Sequence, residues 1–185
     1  MDIKNVTQNI IALSEGQDIA LDLVIEGLYH QLNKMAQSQL SKLNPQKLAP
    51  HDLVHELYLK LSSGQSIKAN TRAHFLAIAA TAMRHLIVDQ LKAQQSQKRG
   101  GEFIAVTLSD SVVPMHENIA EILAVDKAIA QLKKLNPKLS ETVECKFFAG
   151  YTEQETALAL GVNERTIRRY WKRAKNWLKL ELYSN

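Results

Sequence analysis

Hydrophobic residues recur three and four positions apart along most of the chain, a spacing that places them on one face of an α-helix. The segment from Ile19 to Leu43 keeps this spacing throughout, whereas the alternation typical of strands rarely lasts more than a few positions. Leu, Ala, Gln, Lys and Glu are frequent, and all of them favour helices. The pattern therefore predicts an all-α protein, with helices over residues 6–13, 19–43, 51–61, 71–97, 119–135, 137–148, 153–160 and 164–182.

Glycine and proline divide these predicted helices into two groups. Gly100 and Gly101 interrupt the fourth helical pattern, and Pro114 lies just before the fifth. The intervening sequence FIAVTL resembles a strand briefly, but the chain offers no second strand to pair with it. We therefore expect two small helical domains, residues 1–99 and 118–185, joined by a linker over residues 100–117.

Composition indicates a folded protein of a reducing compartment. Hydrophobic residues make up 45% of the chain, which is normal for a globular protein. Cys145 is the only cysteine, so no disulfide can form within the chain. No apolar run approaches the roughly 20 residues of a transmembrane helix. The first residues also lack the basic and apolar regions of a signal peptide, and we expect a cytoplasmic protein.

Positive charge is concentrated in one segment near the C-terminus. The formal net charge is only +4, yet residues 165–179 carry seven basic side chains and no acidic one. Such a segment is typical of a helix that reads DNA, a helix that lies on a membrane surface, or a solvated helix of a bundle. A concentrated positive field favours a polyanionic partner over a role in solubility alone.

The residues before this segment match a helix-turn-helix. Thr152 and Glu155 have the spacing of a capping box that starts a short helix. Ala157 is small enough for two helices to cross, Gly161 permits a sharp turn, and Ile167 would fill the space between the helices. Because each residue meets a separate steric need, the sequence favours a DNA-reading helix over the solvated alternative.

The last predicted helix divides into an apolar stripe and a basic face. The stripe would be needed by the core of the domain, which argues against a membrane-surface helix. The first turns of a recognition helix enter the major groove, where arginine matches guanine. The candidates for base contacts are Arg165, Thr166, Arg168 and Arg169, and those for phosphate contacts are Lys172, Arg173, Lys175 and Lys179.

The first half of the chain contains two further polar surfaces. In DLVHELYLKL, residues 52–61, a polar surface lies beside a leucine stripe with a spacing of four. In MRHLIVDQLKAQQSQKR, residues 83–99, a polar line follows an apolar beginning and could hold single-stranded nucleic acid. The first surface consists of Asp52, His55, Glu56 and Lys60, and the second of His85, Asp89, Lys92, Ser96 and Arg99.

Taken together and in this order, these segments resemble the extracytoplasmic-function (ECF) group of the sigma-70 family, the promoter-recognition subunits of bacterial RNA polymerase. The resemblance implies that the surface of DLVHELYLKL binds the clamp helices of the largest polymerase subunit. It implies −35 recognition by the domain that contains the basic helix. It also implies recognition and opening of the −10 element by Lys68, Asn70, Arg84, His85, Asp89, Lys92, Ser96 and Arg99.

This resemblance implies a protein that is not an enzyme and needs no cofactor. The expected partners are core RNA polymerase and promoter DNA, with an anti-sigma factor as a further partner that the family allows. We expect no membrane partner and no small-molecule substrate. His51 and His55 have a spacing that permits metal binding, but the sequence contains no complete metal motif, and we expect none. The alternative is a helix-turn-helix regulator that binds duplex DNA without joining the polymerase.

Overall fold

The structure is a computed structural model that describes residues 3–17, 19–43, 48–63, 67–100 and 115–183. Within these residues it contains helices and no strand, so the predicted all-α class is confirmed. The elements are α1 (Ile3–Ser14), α2 (Ile19–Leu43), α3 (Pro50–Ser62), α4 (Arg72–Gly100), α5 (Met115–Leu135), α6 (Pro137–Val143), a π-helix (Glu144–Phe148), α7 (Glu153–Leu160) and α8 (Glu164–Tyr183).

Several details differ from the predicted helices. Gly100, which was expected to interrupt the fourth helix and begin the linker, is the last residue of α4. Residues 115–117, which were expected in the linker, form the start of α5, and residues 101–114 lie outside the described residues. The helix expected over residues 137–148 ends in a π-helix, where the Ala149 amide donates to the Glu144 carbonyl at 3.0 Å. The wider turn brings Glu144, Cys145 and Phe148 into the interior together.

Helix α2 is the centre of the N-terminal half, which comprises α1–α4. It packs against each of the other three helices because its apolar positions keep helical spacing over its whole length. The leucine stripe of α3 is buried as predicted, with Leu53, Leu57 and Leu61 each at most 9% exposed. Phe75 of α4 is fully buried, and α3 and α4 both pack against α2.

Helix α8 is the centre of the C-terminal half, which comprises α5–α8 and the π-helix. It packs on α5, α6 and α7 through Ile167 and Ala174, both fully buried. The docking of the apolar stripe leaves the opposite face of α8 in solvent.

The two halves pack against each other rather than standing apart. Helix α4 contacts α5, α7 and the π-helix, and α2 also contacts the π-helix. Buried side chains of both halves belong to one continuous hydrophobic cluster. The surface that α4 presents to solvent is therefore decided partly by the C-terminal half.

Candidate nucleic-acid interface

Local hydrogen bonds define the turn between α7 and α8. The Thr152 hydroxyl accepts from the Glu155 amide at 3.2 Å, and the Glu155 carboxylate accepts from the Thr152 amide at 2.8 Å, which confirms the predicted capping box. Gly161 follows the last residue of α7, and its φ of 63° lies in the left-handed region. The Val162 amide then donates back to the Ala157 carbonyl at 3.1 Å. The turn between α7 and α8 thus takes only three residues, 161–163.

The start of α8 is fixed just as locally. The Asn163 side chain accepts from the Thr166 amide at 2.8 Å, so Asn163 caps the helix. Ile167 is fully buried and Ala157 nearly so, as expected for residues between two crossing helices. Thr166 is half-buried, whereas Arg165 beside it is exposed. The first turn of α8 therefore presents its arginines from a rigid support.

One face of α8 is an exposed basic surface. Oε2 of Glu153 in α7 lies 3.5 Å from Nε of Arg168, and Nζ of Lys175 lies 5.5 Å from the ring centre of Trp171. Part of the positive charge therefore interacts with neighbouring side chains. The arrangement can complement the phosphates of a duplex along the length of the helix. All seven predicted basic residues are exposed: Arg165, Arg168, Arg169, Lys172, Arg173, Lys175 and Lys179.

Helix α3 presents a mixed polar surface. Asp52, His55 and Glu56 are exposed, whereas Lys60 is half-buried. Asp52 also stabilises the start of α3, since its carboxylate accepts a hydrogen bond from the Ala49 amide at 3.2 Å. The three exposed residues are open to a partner in this arrangement.

Helix α4 places only part of its predicted polar line in solvent. Asp89, Lys92 and Ser96 are exposed, as are Lys68 and Asn70 in the segment before the helix. The side chain of the remaining member at the end of the helix, Arg99, lies outside the described residues. A strip of polar side chains thus runs along the C-terminal part of α4.

Arg84 lies at the other end of this line and is buried, with 5% of its side chain exposed. Its Nε donates to both carboxylate oxygens of Glu144 at 3.1 Å, and its Nη2 donates to one of them at 2.6 Å. Its Nη1 donates to the carboxylate of Asp126 in α5. The guanidinium carbon also lies 5.3 Å from the ring centre of Phe148. All the acidic partners belong to the C-terminal half.

His85 is half-buried next to this cluster. Its Nε2 lies 2.9 Å from Arg84 Nη2, and because arginine can only donate, Nε2 must accept. Burial lowers the pKa of His85, and the Arg84 charge lowers it further, while Asp126 and Asp89 oppose the shift. The histidine is therefore neutral at pH 7 in this arrangement.

A comparison with known families accounts for this combination of elements. The family model described as ECF sigma factor matches residues 3–184, nearly the whole chain. The chain belongs to the ECF sigma factor family. Sigma factors of this family take part in transcription initiation, with RNA polymerase and DNA as partners, and they are regulatory rather than catalytic subunits. A search among curated proteins found no match.

The partners of Arg84 were missed by the sequence prediction for this sigma factor. Asp126 lies between Ile122 and Ile129 at helical spacing, so it interrupts an apolar stripe. Glu144 lies four positions before the fully buried Phe148. A charged residue on an apolar stripe indicates a buried ion pair, but it does not identify the partner.

The described part of this sigma factor contains neither a candidate metal cluster nor a helix suited to a membrane. Among the residues that the structure describes, no cluster of three or more His, Cys, Asp or Glu side chains has a geometry for holding a metal ion. None of the described helices combines the length and the hydrophobicity needed to span a membrane.

Proposed function

We propose that this ECF sigma factor is a promoter-specificity subunit that binds core RNA polymerase and directs initiation at promoters with −35 and −10 elements. Residues 1–99 would bind the polymerase and the −10 element, and residues 118–185 would bind the −35 element. The observation that carries the proposal is the exposed basic face of α8, which follows a tightly capped turn. The protein acts without catalysing a reaction, in the cytoplasm, where its polymerase works.

Recognition of the −35 element rests on the first turns of α8. Arg165, Arg168 and Arg169 are exposed there, and an arginine can donate two hydrogen bonds to the O6 and N7 atoms of guanine. Thr166 is half-buried and can add a shorter contact. The basic residues further along α8 contact phosphates and fix the position of the helix on the duplex. Ile167 and the rest of the apolar stripe supply the rigidity that such contacts need.

Recognition of the −10 element uses α4 and the segment before it. Lys68 and Asn70 lie on that segment, and the exposed residues of α4 offer donors along a helix face. Opening of the duplex costs a few kcal/mol per unstacked base step, and contacts to the displaced single strand offset it. Arg84 and His85 complete this surface when they are accessible.

Binding to core polymerase uses the exposed surface of α3. A charge-reversal variant, Glu56→Lys, tests this assignment without touching the hydrogen bond that Asp52 makes at the start of the helix. We expect the variant to lose binding to core polymerase in a pull-down while its circular dichroism spectrum stays unchanged. Glu121→Lys is the matched control, because Glu121 is exposed on α5 in the other half. Normal binding by Glu56→Lys would show that α3 is not the docking surface.

Promoter-specific initiation is the test of the function as a whole. Purified protein and core polymerase are mixed with a library of genomic promoter fragments, and the 5′ ends of the transcripts are sequenced. We expect transcripts that start downstream of a shared pair of motifs and that depend on the protein. Tight specific binding by the protein alone, without any transcript, would instead identify a helix-turn-helix regulator.

A further inference from the structure

Arg84 joins the two halves of the chain through all of its nitrogen atoms. Nε and Nη2 donate to Glu144 in the π-helix, and Nη1 donates to Asp126 in α5. The side chain of Arg84 is 5% exposed and those of its partners 19% or less, so water does not share these bonds extensively. We call Arg84, Asp126 and Glu144 the Arg84 clamp.

Further hydrogen bonds cross the same boundary near the clamp. The Gln39 amide of α2 donates to the Phe148 carbonyl at 3.3 Å, and Lys42 donates to the Phe147 carbonyl at 2.6 Å. The Tyr151 hydroxyl donates to the Ala73 carbonyl of α4 at 2.7 Å. Side chains of α2 and a backbone carbonyl of α4 are thus bonded to the segment between α6 and α7.

The resulting arrangement does not fit a promoter. The names of the −35 and −10 elements place them about 25 base pairs apart, which is about 85 Å of straight duplex. Helix α4 has 29 residues and is therefore about 44 Å long, and α7 packs directly on it. A surface on α4 and the basic face of α8 cannot reach both elements while α4 and α7 remain in contact.

We propose that the Arg84 clamp holds the sigma factor in an autoinhibited, closed state, and that assembly with core polymerase opens it. This inference rests on the proposed function, because it takes α4 as the surface for the −10 element. In the closed state two carboxylates occupy the guanidinium that would otherwise meet the phosphates or bases of DNA. The surface of α3 stays exposed, so polymerase can bind first and separation of the halves can follow.

The chemistry of the clamp suits a contact that must open. Breaking one partner of a buried ion pair leaves an uncompensated charge in the interior, whereas separation of the halves returns all three charged groups to water together. Their hydration then offsets much of the lost pairing energy. Apolar contacts alone would have no such compensation, because apolar side chains gain no comparable hydration when the halves separate. The same residues can thus secure the closed state and permit a reversible transition.

Cys145 provides a built-in reporter of this transition. It is 1% exposed and packs against Ala77 of α4 and Ala159 of α7. Burial, together with Glu144 and Glu141, raises the pKa of the thiol to about 12, so the closed protein holds almost no reactive thiolate at pH 7. Removal of α4 from the thiol would increase its reaction rate with a maleimide.

The first experiment measures the alkylation rate of Cys145 by mass spectrometry. We expect Arg84→Met to react at least about tenfold faster than the wild type, since Asp126 and Glu144 then lack their cation while the Glu144 carboxylate, which raises the pKa of Cys145, stays in place. Arg168→Met is the control, because Arg168 pairs with Glu153 in α7 and lies outside the clamp. Equal rates for Arg84→Met and Arg168→Met would overturn the clamp.

Addition of core polymerase to the wild-type protein tests the opening step. We expect the alkylation rate of Cys145 in the complex to rise by a similar factor, measured on the sigma factor after separation from the polymerase subunits. A rate that core polymerase leaves unchanged, under conditions where the complex forms, would overturn opening on assembly.

The second experiment locks the closed state. Ala77→Cys places a thiol beside Cys145, and the pair is closed by oxidation or by a short bis-maleimide. We expect the locked protein to support no promoter-specific initiation, and the reduced, unlinked protein to initiate normally. Ala77→Ser, which cannot be linked, is the control. Initiation by the locked protein would overturn autoinhibition. If the wild type and both unlinked variants fail to initiate transcription, the result counts against the proposed function itself.

Discussion

Replacement of Arg84 by methionine gives a large and testable loss of stability. The substitution keeps an unbranched apolar chain of similar length but leaves the carboxylates of Asp126 and Glu144 without their cation. The side chains of these residues are 19% and 9% exposed, so water replaces the lost bonds only in part. Removing one member of a buried ion pair costs about 3–5 kcal/mol. With an m-value of about 2 kcal/mol per M, the midpoint of urea unfolding would fall by about 1.5–2.5 M.

A second arginine in the same chain supplies the matched control. Arg168 pairs with Glu153 at 3.5 Å, but the two side chains are 61% and 34% exposed. An exposed pair contributes at most about 1 kcal/mol, so Arg168→Met should move the urea midpoint by about 0.5 M or less. Far-ultraviolet circular dichroism follows all helices, while the fluorescence of Trp171 and Trp177 follows α8. Equal losses for Arg84→Met and Arg168→Met would refute the argument that burial determines the strength of the clamp.

Three further predictions concern the turn, the histidine and the basic helix. Gly161→Ala should lower the free energy of unfolding by about 1–2 kcal/mol, because an added Cβ meets open space and the only cost is the strain of the left-handed backbone. Gly161→Asn should cost less, since asparagine tolerates this backbone conformation better than alanine. Equal melting temperatures for the two variants would contradict this argument. The imidazole resonance of His85, identified in NMR spectra by its absence from a His85→Gln variant, should titrate below pH 6.5, because burial lowers the pKa of this group. Protonation of His85 would favour the open state, so the closed state should weaken as the pH falls below about 6.5. A titration of this resonance at or above pH 6.5 would refute the argument. Arg165→Ala should relax −35 preference by about 1–3 kcal/mol at one base, whereas Lys179→Ala should weaken binding to all sequences and lower the salt slope by about 1; measured affinities over a set of altered promoters and salt concentrations distinguish the two.

Prediction from the sequence succeeded where the determining interactions are local. The bounds of α2 and α7 agree with the predicted ones, because apolar spacing and a capping box involve residues only a few positions apart. The apolar stripe of α3 and the position of Ile167 were also predictable, since each depends on the period of its own helix. The basic face of α8 was found for the same reason.

Prediction was incomplete where the local sequence is compatible with more than one helix geometry. Residues 137–148 have the composition of a helix, and the sequence alone does not distinguish a regular last turn from the π-helix that the structure contains. The wider turn allows Glu144 and Phe148 to be buried against α4. Packing against another element therefore selected the geometry.

By itself the sequence determined the class of fold, most helix bounds, the turn before α8 and the membership of a family. Only the tertiary structure decided that Arg84 is buried. Its partners Asp126 and Glu144 lie 42 and 60 positions away, and a helical pattern contains no information about which distant charge will be neutralised by which. The family resemblance placed Arg84 on a surface for DNA, and in this fold two carboxylates pair with it, because a buried charge must be paired by groups that only chain folding brings within reach.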